Sequence, residues 1–361
     1  MQIVFFATPD FAVPCLQQLI SHPAMNVLAV VTQPDKPVGR KQKLTPPPVK
    51  TVASEHCIPV FQPEKLSSDE ELIDKLRTFN PDVFVTVAYG QILKQNVLDI
   101  PKIGVVNLHA SILPAYRGPA PINWMLINGE EEIGVSTMFS DKGVDTGPAI
   151  DSISMISDLN ENAASLTERM SLVGADLLLE SLLKLDDALK TNTNRDYLAI
   201  KNQFAKEQEG YEELDVSKKL APFMTKDLGG IDFSAEEIFY SSPNPRQDFF
   251  KYSKPNSAKN IHNMVRGTYP WPGSFFMYQD EKIVITETEI PFVKAFLEAD
   301  SETKNYQLAE IVKIDHKIGY IWIQTQDGVL QINKLKPAGK KEMKASDCLN
   351  GLRLKEGDSL I

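Results

Sequence analysis

Cysteine is scarce in this chain: Cys15, Cys57 and Cys348 are odd in number and widely separated. That excludes a disulfide framework, offers no zinc-finger spacing and suits a reducing cytoplasm. Histidine is nearly as rare, with five residues in 361. No second ligand lies at a metal-binding spacing from His109, so no metal is expected and a metal hydrolase is disfavoured. No apolar run is long enough to span a membrane. Met1-Gln2-Ile3-Val4-Phe5-Phe6 lacks a basic leader and soon meets Pro9-Asp10, so it reads as a first strand and not as a secretory signal. No Gly-x-Gly-x-x-Gly follows that strand, which removes the dinucleotide-binding fingerprint.

What is present fits two domains. A chain of 361 residues with 42% hydrophobic content exceeds the usual single-domain size and can bury two cores. Strand candidates near 2–7, 27–32, 82–87, 103–108 and 133–139 are separated by segments long enough for crossover helices. They predict an α/β domain with an open, Rossmann-like, mostly parallel sheet. Leu166, Met170, Val173, Leu177, Leu178 and Leu182 recur at helical spacings and predict a helix over 163–189 that closes this domain. The polar and charged composition that follows predicts a linker at 190–209 and a second domain over 210–361. Short β-rich runs at 282–286, 307–314, 319–325 and 328–333 predict a small antiparallel sheet or barrel there.

The stretch richest in chemistry is Asn107-Leu108-His109-Ala110-Ser111-Ile112-Leu113-Pro114-Ala115-Tyr116-Arg117-Gly118, followed by Asp145 in the turn Asp141-Lys142-Gly143-Val144-Asp145-Thr146-Gly147. An apolar run from Ile103 to Leu108 enters the motif as a strand, and Pro114 and Gly118-Pro119 forbid its simple continuation. Ile133 to Phe139 reads as a second buried strand, so two successive strands are expected to end together and bring Asp145 back to the motif. Alternation in an extended segment points Asn107 and His109 to one side. Acyl transfer needs donors aimed at the oxygen that gains charge, a group that accepts a proton, and something that orients that group. Asn107, His109 and Asp145 can fill those roles without a metal or a covalent nucleophile. Taken singly each is equally a cap, a packed imidazole or a turn residue; their conjunction points to catalysis.

At these residues the chain resembles the formyltransferases that use 10-formyltetrahydrofolate, whose catalytic set is an Asn-x-His followed by an Asp. It is most similar to members that act on methionyl-initiator tRNA, because the likeness extends through Ala7-Thr8-Pro9-Asp10-Phe11, Thr32-Gln33-Pro34-Asp35, Pro47-Pro48-Val49-Lys50, Ala120-Pro121-Ile122, Gly267 to Gly273 and Lys336 to Lys341. The resemblance implies formyl transfer for translation initiation, with Asn107, His109 and Asp145 catalytic. It implies a folate donor held by Ser111, Ile112, Leu113 and Pro114 and by backbone groups at Val87, Ala88, Tyr89 and Gly90. Initiator methionyl-tRNA would be met by Arg40, Lys41 and Lys43 and by Lys340 and Lys341, on a monomer whose second domain is an oligonucleotide-fold-like barrel. On charge alone, with a net charge of −10, both basic segments read as solvated surface loops.

Two departures accompany the likeness. Ala7 stands where the family usually has Gly, with little expected effect. Residues 235–254 read as an insertion whose Pro pair and aromatics predict an ordered excursion, ranked first as packing on its own domain and then as touching tRNA or another subunit. His262 is expected to pack within a helix. The alternatives are a sugar-amine N-formyltransferase with the same donor, a folate hydrolase, and a non-catalytic folate- or RNA-binding relative. The division of proton transfer between His109 and Asp145, and whether Tyr116-Arg117-Gly118 positions substrate or shapes its loop, stay open.

Overall fold

Apolar runs such as Ile3–Ala7 and Val83–Val85 have no polar face to give to water, so they belong in a sheet covered on both sides. In the computed structural model, which describes residues 1–39, 42–194, 196–242, 250–291 and 306–360, they occupy the first of two units. That unit comprises Met1–Pro119, Glu132–Ile156 and Thr167–Leu214. Its strands are β1 (Gln2–Ala7), β2 (Asn26–Val31), β3 (Lys36–Val38), β4 (Lys43–Thr45), β5 (Val60–Phe61), β6 (Val83–Val87), β7 (Gly104–His109), β8 (Glu132–Phe139) and β9 (Ala149–Ile156). Strands β3 and β4 form a separate exposed hairpin, and the others make one sheet in the order β5-β2-β1-β6-β7-β8-β9. The pairing is parallel from β5 to β7 and antiparallel across β7–β8 and β8–β9.

The helices are α1 (Val13–Ser21), α2 (Pro48–Glu55), α3 (Glu70–Thr78), α4 (Gln95–Leu98), α5 (Pro121–Asn128), α6 (Ala163–Thr191), α7 (Tyr197–Phe204), α8 (Val216–Lys219), α9 (Ala258–Thr268) and α10 (Ala345–Leu352). One sheet face buries Val4, Phe6, Ala29, Val31, Phe84 and Val105, alternate residues of their strands, against Leu72, Ile73 and Leu76 of α3. Helix α3 is fixed at its start by Asp69, whose side chain accepts from the Leu72 N–H at 3.0 Å, and carries Glu70 and Glu71 at its positive end. On the other face α6 approaches β7 so closely that a Cβ on Gly174 would stand 2.8 Å from Leu108 Cδ2, and the Thr137 and Ser181 hydroxyls bond at 2.8 Å. Residues 190–209, linker-like in composition, contain α7 and a β-bridge between Lys206 and Ala149, and they group with the first unit.

The second unit comprises Ala120–Glu131, Ser157–Leu166 and Asp215–Ile361. Its strands are β10 (Glu237–Ser242), β11 (Phe250–Pro255), β12 (Ser274–Tyr278), β13 (Glu281–Glu289), β14 (Ile311–Ile314), β15 (Ile321–Thr325), β16 (Gly328–Pro337) and β17 (Met343–Lys344). An antiparallel sheet runs β12-β13-β16-β15-β14 with β17 beside β16, and register shifts between Ile285 and Thr288 bend β13. Strands β10 and β11 pair as a hairpin within the stretch read as inserted. Tyr240 and Tyr252 stack at 4.7 Å, Trp124 of α5 lies 6.2 Å from each, and the Tyr252 hydroxyl donates to Asn128 Oδ1 at 2.7 Å. The hairpin therefore packs on its own unit.

Helix α9 crosses α5 closely, because Gly267 leaves room for Ile127 and takes a 2.7 Å bond from the Asn123 amide. Beside it His262 is buried, with Nδ1 2.9 Å from Thr288 Oγ1 and Nε2 2.8 Å from the Leu159 carbonyl, which fits the packing role expected of it. Burial holds its imidazole below the ordinary value. A histidine depressed in this way stabilises the fold fully above its unfolded value near 6.5, and that stabilisation is lost as pH falls through it. Denaturant titrations between pH 7 and 5 should therefore show stability falling toward acid at up to about 1.4 kcal/mol per pH unit from this group, and His262→Gln should remove that component.

Candidate active site

Strand β7 places Val105, Asn107 and His109 on one face and Val106 and Leu108 on the other. Asp145 joins them by a route different from the one expected. Strand β8 runs antiparallel to β7, pairing Met138 with Asn107 and Ser136 with His109, so β8 ends beside Val106 and not at the motif. The loop from Ser140 to Pro148 then carries the carboxylate back. It is tied down by the Ser140 N–H on the Val105 carbonyl at 2.8 Å, and by Asp141 Oδ1, which accepts from the Gly143 N–H at 2.9 Å and from Thr146 Oγ1 at 2.6 Å. Only glycine fits at 147, where a Cβ would stand 2.0 Å from the Phe139 carbonyl. Asp145 itself sits at φ 54°, in the left-handed region.

The carboxylate is well defined. Oδ2 accepts from the Gly118 N–H at 2.9 Å and lies 3.5 Å from His109 Nδ1, while Oδ1 lies 3.5 Å from Asn107 Nδ2. His109 is buried, and its Nε2 is 2.9 Å from the Tyr116 carbonyl, to which it can only donate. Both ring nitrogens thus face oxygens. Asn107 has its amide oriented by Thr86, whose hydroxyl donates to Oδ1 at 2.8 Å and leaves the NH₂ end as donor. Thr86, the Tyr116 carbonyl and the Gly118 N–H complete the constellation. None carries a sequence signal beyond its neighbourhood to the motif, except that Thr86 is a lone hydroxyl in an apolar strand.

Ser111 to Pro114 leave His109 directly. The Ser111 hydroxyl is buried and donates to the Ala115 carbonyl at 2.6 Å, and Ser136 on β8 clamps the loop by donating to the Ser111 carbonyl at 2.8 Å and accepting from the Leu113 N–H at 3.1 Å. The side chain of Ile112 lies against Gly134, where a Cβ would meet Ile112 Cγ1 at 2.8 Å. Val87 to Gly90 end β6, next to β7. Val87 is buried and Tyr89 turns its ring into the core, 5.5 Å from Phe6, with its hydroxyl raised in pKa by burial. Only the backbone of Tyr89 is left for a ligand, and its carbonyl already accepts from Thr8 Oγ1 at 2.9 Å. Ala88 and Gly90 are exposed, with φ of 47° and 83°.

Of the basic residues, Arg40 and Lys41 lie outside the described residues. Lys43 is exposed on the β3–β4 hairpin, next to the exposed Leu44. Lys340 and Lys341 are exposed in the turn after β16, whereas nearby Lys334 is tied to Glu287 at 2.7 Å and to Glu342 at 3.8 Å. Among the described residues no cluster of His, Cys, Asp and Glu is placed to hold a metal, and no helix is long and apolar enough to cross a membrane.

Residues 1–182 match the formyl transferase family and residues 251–353 match the formyl transferase C-terminal domain. The chain is 40% identical over 357 residues to the methionyl-tRNA formyltransferase of Clostridioides difficile, covering 99% of both chains. It is 39% identical to that of Thermodesulfovibrio yellowstonii, covering 98% of this chain and 97% of the relative. Among solved structures it resembles HypX from Aquifex aeolicus in complex with tetrahydrofolic acid, with a TM-score of 0.55 and 14% identity over 99% of this chain and 48% of that one. It also resembles the sugar 3N-formyl transferase WlaRD, with a TM-score of 0.53 and 19% identity over 94% of this chain and 99% of that one. At these identities the two structures speak for the fold.

The Ser136 clamp gives a direct test. Ser136→Ala leaves a buried carbonyl and N–H without their partner and should lower stability by about 1–3 kcal/mol. Hydrogen exchange should at the same time show residues 111–116 opening more often.

Proposed function

The chain belongs to the methionyl-tRNA formyltransferase family, and on that footing we propose that it transfers a formyl group from 10-formyltetrahydrofolate to the α-amine of methionyl-initiator tRNA, with Asn107, His109 and Asp145 carrying the chemistry. The observation that carries this reading is the convergence of an amide, an imidazole and a carboxylate within 3.5 Å contacts at the end of β7, in a chain similar to those relatives over its whole length.

The donor's formyl carbon is attacked by the free amine of the aminoacyl ester. A new C–N bond forms as the formyl oxygen takes up negative charge, the bond to folate N10 then breaks, and the amine's proton is lost. Asn107 Nδ2, left as the donor end of the amide by the Thr86 bond to Oδ1, is a donor for that oxygen. His109, its Nε2 held by the Tyr116 carbonyl, is proposed to turn its Nδ1 side from the longer 3.5 Å contact with Asp145 to that oxygen as a second donor. Asp145 orients the imidazole and accepts the amine proton or relays it to the departing folate N10, which leaves as the amine. Ser111 to Pro114 and the Val87–Gly90 turn flank these residues and are proposed to hold the folate, with the exposed backbone of Ala88 and Gly90 as its polar contacts. Arg40, Lys41 and Lys43, with Lys340 and Lys341, are proposed to meet phosphates of the tRNA while the acidic remainder of the surface limits indiscriminate binding.

Incubation of the purified protein with 10-formyltetrahydrofolate and methionyl-initiator tRNA should yield formyl-methionyl-tRNA. Asn107→Ala, His109→Ala and Asp145→Ala should each reduce the rate by about 100-fold or more while the variants stay folded by circular dichroism. Thr86→Val should lose about 10-fold by freeing the Asn107 amide to rotate. Turnover near the wild-type rate in the His109 variant sinks the mechanism, and product from an aminosugar nucleotide but not from the tRNA replaces the acceptor.

A further inference from the structure

We infer that Gln208 is a positioning residue for the reaction, holding the turn that presents Asp145; the inference rests on the proposed role of Asp145. By composition Gln208 sits in the charged stretch Lys206-Glu207-Gln208-Glu209-Gly210-Tyr211, which reads as a tether. Its amide is instead bonded at both ends. Nε2 donates to the Asp145 carbonyl at 3.0 Å and to the Gly147 carbonyl at 2.7 Å. Oε1 accepts from Arg117 Nε at 3.0 Å and Nη2 at 2.8 Å, and the guanidinium lies 4.0 Å over the Tyr211 ring.

These partners fix which way the amide faces. A reversed amide would set its oxygen against two carbonyls and its NH₂ against a cation, so one orientation is strongly preferred. The segment is anchored two residues earlier, where Lys206 and Ala149 exchange two backbone bonds of 2.7 Å. The turn needs such support. Asp145 is a non-glycine residue at φ 54°, a conformation that persists where its surroundings over-determine it. Gln208 takes hold of the backbone carbonyl of that residue and of the next but one, while its carbonyl end holds Arg117, whose chain neighbour Gly118 donates to the Asp145 carboxylate. One side chain thus sets both the backbone that carries the carboxylate and the loop that binds it. Loss of the amide lets the turn relax, and a carboxylate misplaced by about 1 Å can lower a rate by about 100-fold.

Two variants separate the ends of the amide. Gln208→Leu removes both; Gln208→Glu keeps acceptors for Arg117 but offers oxygen where the turn needs N–H. Single-turnover formyl transfer to methionyl-initiator tRNA is measured for wild type, both variants, Asp145→Asn, and each Gln208 variant combined with Asp145→Asn. The expected result is a fall of about 10- to 100-fold in the catalytic rate constant for both Gln208 variants, with KM for folate and for tRNA within about 2-fold of wild type. In the Asp145→Asn background neither variant should cause further loss. The inference is overturned if Gln208→Glu turns over at the wild-type rate, if the loss lies in KM alone, or if the losses multiply in the double variants. Should Gln208→Leu fail to fold, the cycle built on Gln208→Glu decides by the same criteria. An Asp145→Asn enzyme as active as wild type would instead remove the reading of Asp145, and this inference with it.

Discussion

The Asp145 carboxylate, accepting from the Gly118 N–H and facing His109 on the same oxygen, is the interaction on which the first unit's architecture converges. A buried imidazole between two oxygens and a carboxylate on a left-handed residue are each unfavourable alone. Together they satisfy one another. The sheet supplies the rigid end of this arrangement through β7, and two loops supply the rest. Ser136 clamps one loop from the neighbouring strand, while Asp141 and the absence of a side chain at Gly147 draw in the other. The site is assembled by backbone groups of Val105, Tyr116 and Gly118 and by the common side chains of Thr86, Ser136 and Asp141, which is why so little in the sequence marks it.

Much of this was legible in the sequence. The apolar runs of β1, β6 and β7, too hydrophobic for a half-exposed sheet, indicated the parallel core, and the leucine spacing from 166 to 182 indicated α6. The side to which Asn107 and His109 point followed from strand alternation. The approach of Asp145 did not, because hydrophobic runs carry no sign of direction: Ile133–Phe139 reads identically whether β8 runs with or against β7. Short of pairing information, a strand end and a returning loop look alike. Residues 190–209 mislead by composition for a related reason. Charged side chains at solvated positions say nothing of what the backbone between them is bonded to, and the Ala149–Lys206 bridge is made by backbone alone.

The second unit illustrates how charge counts and structure diverge. Five lysines cluster between 334 and 344, but Lys334 is held by Glu287 and Glu342 and adds little field to its neighbours. Lys340 and Lys341, exposed in a turn whose Gly339 lies at φ 70°, keep their charge in water. The aromatic stretch read as inserted follows the opposite logic. Its tyrosines, which in an exposed excursion would offer a sticky surface, are spent on Trp124 and Asn128 within their own unit.

The Thr86–Asn107 bond joins residues that face each other across the β6–β7 ladder. Thr86 is the one hydroxyl in a strand whose other members are Val83, Phe84, Val85 and Val87. A slip of β6 along β7 by a single residue would put a valine opposite Asn107, with no group able to hold its amide. The two strands would still be hydrogen-bonded. Phe84 would leave its cluster against α3, but the other apolar residues carry no polarity that distinguishes one alignment from the other. In this fold the polarity of one amide serves as a check that the central strands have paired in register.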